Sequence, residues 1–128
     1  MRLLLDTHCL LWALMTPEHL SERVRNLLRD PRNEVLVSAA SAWEVATKHR
    51  LGRLPEAESV VGDYPGALAK LMALELPVSS SHALLAGSFS NAHRDPFDRL
   101  LAAQATLERV PLATLDGAFR DFPVRVLW

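Results

Sequence analysis

Two hydrophobic rhythms alternate along this chain. Leu3-Leu4-Leu5 is a short, wholly apolar run, the pattern of a strand buried on both faces of a parallel sheet. Asp6 ends it, and Leu10, Leu11, Leu14 and Met15 then recur at helical spacing. Thr16-Pro17 punctuates, and a second helix starts near Ser21, carries Val24, Leu27 and Leu28 on one face, and stops before Pro31. Glu34 to Ser38 reads as a second strand around Val35, Leu36 and Val37. The next helix carries Glu44, Val45 and Leu51, with Gly52 as its C-terminal cap and Lys48, His49 and Arg50 complementing the dipole there. Trp12 and Trp43, large aromatics within helical patterns, are expected to pack.

Residues 55–66, rich in proline, glycine and acids, are the most variable-looking stretch. Leu68, Leu71 and Met72 suggest a helix stopped near Pro77, with Val78 a minor strand and Ser79-Ser80-Ser81 capping the helix that follows. Asp95-Pro96 is a helix start: proline fits the first helical position, and aspartate accepts from the free N–H groups beyond it. Leu100, Leu101, Leu107 and Val110 give that helix its apolar face. Pro111 to Leu115 reads as a strand ending at Asp116-Gly117, and Val124 to Leu127 as the last. Strands alternating with helices predict a three-layer α/β/α domain with a mostly parallel central sheet. A length of 128 residues suits one domain, and 49% apolar composition makes it globular.

Charge and cysteine content narrow the partners. The net charge is −1, without the basic stripe by which bulk electrostatics would hold nucleic acid. The basic residues are nearly all arginine, which grips phosphate bidentately, with local clusters at Arg23/Arg25/Arg29, read as a solvated helix face, and at Lys48/Arg50/Arg53 and Arg94/Arg99. The one cysteine, Cys9, fits a reducing cytoplasm. Asp6 interrupts the opening apolar run after three leucines, so neither a signal peptide nor a membrane segment is expected.

Ligands of an open parallel sheet sit outside the carboxyl ends of its strands. Asp6 and Asp116 fall at such ends, Glu44 just past the second strand, and Asp98 in the first turn of the helix begun at Pro96. Each has a local explanation, for example a Ser41-x-x-Glu44 capping box or an Asp116-Gly117 turn. All four nevertheless map to one edge. Two carboxylates about 4 Å apart repel by roughly 4 kcal/mol at an effective dielectric of about 20, so such a cluster either holds protons or binds metal. All-oxygen ligands select hard ions such as Mg²⁺ or Mn²⁺, and the five histidines lack paired zinc spacing. Carboxylate-held metal suits phosphodiester hydrolysis, in which an ion generates hydroxide and a second stabilises the leaving oxygen.

With these residues in place the chain resembles the PIN-domain ribonucleases, in particular the VapC-like toxins of bacterial toxin–antitoxin pairs. The likeness rests on Leu4-Leu5-Asp6-Thr7-His8, on Ser38-Ala39-Ala40-Ser41-Ala42-Trp43-Glu44-Val45 and on Lys48-His49-Arg50-Leu51-Gly52-Arg53-Leu54. It continues through His93-Arg94-Asp95-Pro96-Phe97-Asp98-Arg99 and Ala113-Thr114-Leu115-Asp116. The resemblance implies that Asp6, Glu44, Asp98 and Asp116 form an acidic catalytic Mg²⁺/Mn²⁺ site, with Asp6 and Asp98 the surest ligands. It implies that Thr7 and Thr114 support them by hydrogen bonding, with Asp95 an extra acid used mainly for capping. It further implies endonucleolytic cleavage of RNA leaving a 5′-phosphate and a 3′-hydroxyl, a homodimer, and silencing by a cognate antitoxin. Two other readings compete: a non-catalytic PIN-like module that binds RNA or protein, and a haloacid-dehalogenase-type phosphatase. The latter needs a second aspartate two residues after Asp6, where His8 stands.

Overall fold

Five strands, β1 (Arg2–Leu5), β2 (Glu34–Ser38), β3 (Leu74–Leu76), β4 (Leu112–Ala113) and β5 (Val126–Leu127), form a single sheet in a computed structural model of residues 1–128. Every pairing is parallel, in the order β3-β2-β1-β4-β5. Parallel neighbours need long crossovers, which the helices supply: α1 (Thr7–Met15), α2 (Glu22–Arg29), α3 (Ala39–Arg50), α4 (Glu58–Gly62), α5 (Tyr64–Lys70), α6 (Ser80–Ser88) and α7 (Pro96–Glu108).

Strand alternation divides the core into two layers. Leu3 and Leu5 of β1 point to one face, where they meet Leu10 of α1, Val24 of α2, and Val35 and Val37 of β2. Leu4 points to the other, against Leu36, Leu112, Phe119 and Leu101 of α7. Both faces are covered, which is why β1 is apolar without alternation. The chain moves outward from β1 to β2 and β3, then returns through α6 and α7 to β4 on the opposite flank. The strand order therefore reverses between β1 and β4, and a crevice opens there beyond their carboxyl ends.

Several elements differ from the sequence reading. The minor strand lies before Pro77, over Leu74–Leu76, and Val78 belongs to no strand. Proline cannot continue the ladder, whereas Leu74, Glu75 and Leu76 pair with Leu36, Val37 and Ser38. Residues 55–66 hold a 3₁₀ turn at Pro55–Ala57, α4 and the start of α5; Ala57, Val60 and Ala67 bury against Val45 and Leu11, so tertiary packing supplies what weak local patterning does not. Helix α5 starts earlier than expected, behind the Asp63 cap, and Met72 lies beyond its end with φ 50°. Gly52 caps α3 as expected: with φ +76° it donates to the His49 carbonyl while Arg53 donates to that of Lys48. Trp43 is not a core residue but is 58% exposed, edge-on to Phe97 at 4.7 Å. No helix is long and apolar enough to cross a membrane.

Candidate active site

Asp6 follows β1 directly and caps α1, its Oδ1 accepting from the Cys9 N–H at 2.7 Å. Its other oxygen accepts from the Thr114 hydroxyl, in a short contact across the crevice between β1 and β4. Thr114 also serves Asp116, whose N–H donates to Thr114 Oγ1 at 3.0 Å. Asp116 in turn caps the 3₁₀ turn Gly117–Asp121 through Oδ1. Thr114 is thus the joint between the two strand-end aspartates.

Glu44 lies deeper in its helix than the sequence suggested. The N-cap of α3 is Ser38, accepting from the Ala40 N–H, so Ser41-x-x-Glu44 is not a capping box. Ser41 and Glu44 sit one turn further in and face Thr7, whose hydroxyl donates to Glu44 Oε1 at 2.5 Å. Thr7 Oγ1 is also 3.0 Å from Ser41 Oγ; with its own proton committed to the carboxylate, Thr7 accepts from Ser41. Glu44 Oε2 meets Lys48 Nζ at 2.6 Å, one helical turn away. Buried glutamate is tolerated because both oxygens are partnered.

Asp95 and Asp98 both arise from the start of α7. Asp95 Oδ1 accepts from the N–H groups of Phe97 and Asp98 at 2.8 and 3.3 Å. Asp98 Oδ2 is 2.8 Å from His93 Nε2. Burial pushes the Asp98 carboxyl up to about 6; the His93 contact opposes the rise, and the neighbouring charges of Asp95 and Glu44 add to it. Burial also raises Asp6, against the hydrogen bonds from Thr114 and Cys9 that favour its charged form.

These residues meet in one cleft. Asp6, Thr7, His8, Glu44, Lys48, Asp95, Asp98 and Asp116 line a small cavity of about 60 Å³ with no apolar residue in its wall. A larger cleft of about 310 Å³, bordered by Ala13, Leu20, Leu28, Arg25 and Lys70, contains no carboxylate and lies away from this chemistry.

The donor set fits a hard divalent ion. Asp98, Asp95 and Asp116 each commit one oxygen to orienting contacts and keep the other unengaged by the protein, while each Asp6 oxygen accepts one hydrogen bond and retains a lone pair for a cation, the arrangement by which outer partners fix ligands. No three His, Cys, Asp or Glu side chains stand at ligand spacing around one point. A hard divalent ion held by one or two carboxylates with several waters needs no such cage.

Three features were not assigned from the sequence. Lys48, read there as a dipole partner or phosphate contact, is the cation on Glu44; the Glu-x-x-x-Lys spacing would have revealed it. His93 reaches Asp98 around the Asp95-Pro96 turn, a contact no local spacing encodes. Arg99, counted among possible phosphate grips, is turned inward, donating to the carbonyls of Ala86, Phe89, Asn91 and His93 at 2.6–3.3 Å.

A parallel α/β sheet with acids gathered at its topological switch point defines a class of proteins that bind charged ligands at this edge. The family model of the PIN domain matches residues 3–124, and the chain belongs to that family. Over 58 residues it is 40% identical to ribonuclease VapC16 of Mycobacterium tuberculosis (strain ATCC 25618 / H37Rv), covering 45% of this chain and 41% of that protein. The chain thus matches about two-fifths of that relative's length. Among solved structures, VapBC2 from Rickettsia felis bound to a DNA fragment from their promoter superposes with TM-score 0.69 at 16% identity, covering 99% of this chain and 98% of that one. VapBC-1 from nontypeable Haemophilus influenzae gives 0.64 at 16% identity, over 99% and 97%. At these identities the likeness is one of fold.

Proposed function

We propose that this chain is a divalent-metal-dependent endoribonuclease, the toxin of a toxin–antitoxin pair. The observation that carries the reading is the convergence of Asp6, Glu44, Asp98 and Asp116, from four separate segments, on one wholly polar cleft. Asp6 and Asp98 would hold the ion, with Glu44 and Asp116 completing the acidic wall around it and Asp95 capping α7. Mg²⁺ or Mn²⁺ supplies a lowered water pKa and charge neutralisation at the phosphate. Thr114 and Thr7 fix the carboxylates of Asp6 and Glu44 in angle, so little reorganisation is left for the reaction. Lys48, on the cleft wall, offsets the negative charge that would otherwise repel an RNA backbone. In the hydrolysis a water oxygen bonds to phosphorus, the bond to the 3′ oxygen breaks, and that oxygen takes a proton. The products are a 5′-phosphate and a 3′-hydroxyl.

The ribonuclease name of the Mycobacterium tuberculosis relative supports this reading, and the fold shared with the two VapBC structures agrees with it. A cognate antitoxin, a homodimer and a cytoplasmic location belong to the same proposal; the buried, unpaired Cys9 suits a reducing compartment. Purified protein is expected to cleave end-labelled RNA with Mg²⁺ or Mn²⁺ and not with EDTA, and Asp6→Asn is expected to abolish cleavage while remaining folded. Asp6→Asn cutting as fast as the parent contradicts the assignment. Growth arrest on expression, relieved by the protein of the adjacent reading frame, tests the toxin role.

A further inference from the structure

Beside the acidic cleft lies a second cavity of about 260 Å³, lined by Asp6, His8, Trp12, Leu115 and Asp116. Three of these residues, Asp6, His8 and Asp116, also line the carboxylate cleft, so the two spaces adjoin. Their walls differ in character. The cleft is entirely polar, while the adjoining cavity presents an indole, an imidazole and a leucine side chain. Trp12 is half-buried and braced by neighbouring rings, Trp128 at 6.0 Å and His19 at 5.7 Å, both edge-on. His8 lies at 5.9 Å from Trp12 and is exposed. Leu115, 59% exposed, stands on the segment joining Thr114 to Asp116. A braced aromatic with an exposed imidazole and leucine beside it is a platform for a flat ring. The volume is below the roughly 300–1,000 Å³ of pockets for drug-sized ligands.

We propose that this cavity is a nucleobase subsite: it stacks the base attached to the nucleotide whose phosphate is cut. The inference rests on the ribonuclease reading of the carboxylates, because that reading brings a phosphodiester to the ion between Asp6 and Asp98, in the cleft whose wall Asp116 shares. A chain anchored there must send its neighbouring base somewhere, and the adjoining cavity, which shares Asp6 and Asp116 with the cleft, offers a ring-bearing wall. Stacking tolerates any base, since every base has a π-face. Trp12, His8 and Leu115 are substrate-positioning residues, and the subsite sets the register of the cut.

The test uses a short single-stranded RNA, intact or abasic at the nucleotides flanking the cut. For the parent protein, removing the base is expected to raise KM by about 5- to 160-fold, the worth of one base–aromatic stack. Trp12→Ala is expected to raise KM on intact RNA by a similar factor and to add nothing on abasic RNA. Should Trp12→Ala fold poorly, His8→Ala and Leu115→Ala on the exposed rim carry the same test. Equal KM for intact and abasic RNA, or equal losses on both for the variants, overturns the subsite while leaving the nuclease intact. A parent that cuts neither RNA removes the ribonuclease reading instead. A binding measurement then judges the subsite separately. With Trp43→Phe and Trp128→Phe leaving Trp12 as the sole tryptophan, its emission is expected to be quenched by intact and not by abasic oligonucleotide. Identical responses to the two, or quenching by a protein partner alone, overturn the proposal.

Discussion

Thr114 contributes one hydroxyl, and two aspartates depend on it. The hydroxyl donates to the buried Asp6 carboxylate and accepts from the Asp116 N–H. Thr114→Val keeps the shape and takes a donor from the buried Asp6 carboxylate, while the N–H of the exposed Asp116 turns to water. Leaving buried polar groups unpartnered costs about 1–3 kcal/mol, so the variant is expected to lose that much in urea unfolding; an unchanged midpoint contradicts the role given to Thr114. Asp98 gives a pH signature. Its folded pKa of about 6, raised by burial, lies above the unfolded value. Native protein therefore binds the extra proton between the two values. The stability this contributes is complete below the unfolded pKa and is lost as pH rises through about 6. In EDTA, Asp98→Asn is expected to be more stable than the parent at pH 7.5, with the gap closing toward pH 4. A gap that is the same at both pH values, measured by denaturant midpoints, contradicts the burial of that charge. His93 and Asp98 could not be paired from the sequence, because they meet through the turn between them and not through helical spacing.

At the scale of elements, the start of α7 was readable and its support was not. Asp95-Pro96 announces a helix by local chemistry, and Asp95 caps it through the Phe97 and Asp98 N–H groups. What holds the preceding loop is Arg99, whose guanidinium binds four backbone carbonyls between Ala86 and His93. Backbone acceptors carry no residue code, so an inward arginine reads in sequence like an outward one. Arg99→Ala is expected to cost roughly 3 kcal/mol, since several charge-assisted bonds are lost together. It is also expected to speed amide exchange over residues 89–94; exchange at the parent rate contradicts the clamp. The α3 terminus was readable through Gly52, and its start was not: Ser38 and Ser41 are equally plausible caps by type, and only the strand end decides for Ser38. The short helix α4 and the strand β3 escaped because their residues are held by partners distant in the chain.

For the whole molecule, the alternation of apolar strands and amphipathic helices was enough to predict a parallel three-layer architecture, and the sheet is indeed parallel throughout. The edge rule for such sheets predicts the acids at one edge, and Asp6, Glu44, Asp98 and Asp116 line one cleft there. What the pattern could not supply was the depth of each carboxylate, nor the second cavity that Trp12 and Leu115 build beside them. The topology makes the cleft inseparable from the fold: Asp6 and Thr114 end neighbouring strands on opposite sides of the point where strand order reverses. The most direct measurement is anomalous diffraction from crystals of the protein grown with Mn²⁺. An anomalous peak within bonding distance of Asp6 and Asp98 oxygens, absent in Asp6→Asn, is the result expected; clear electron density for the carboxylates with the ion bound elsewhere, or nowhere, contradicts the account.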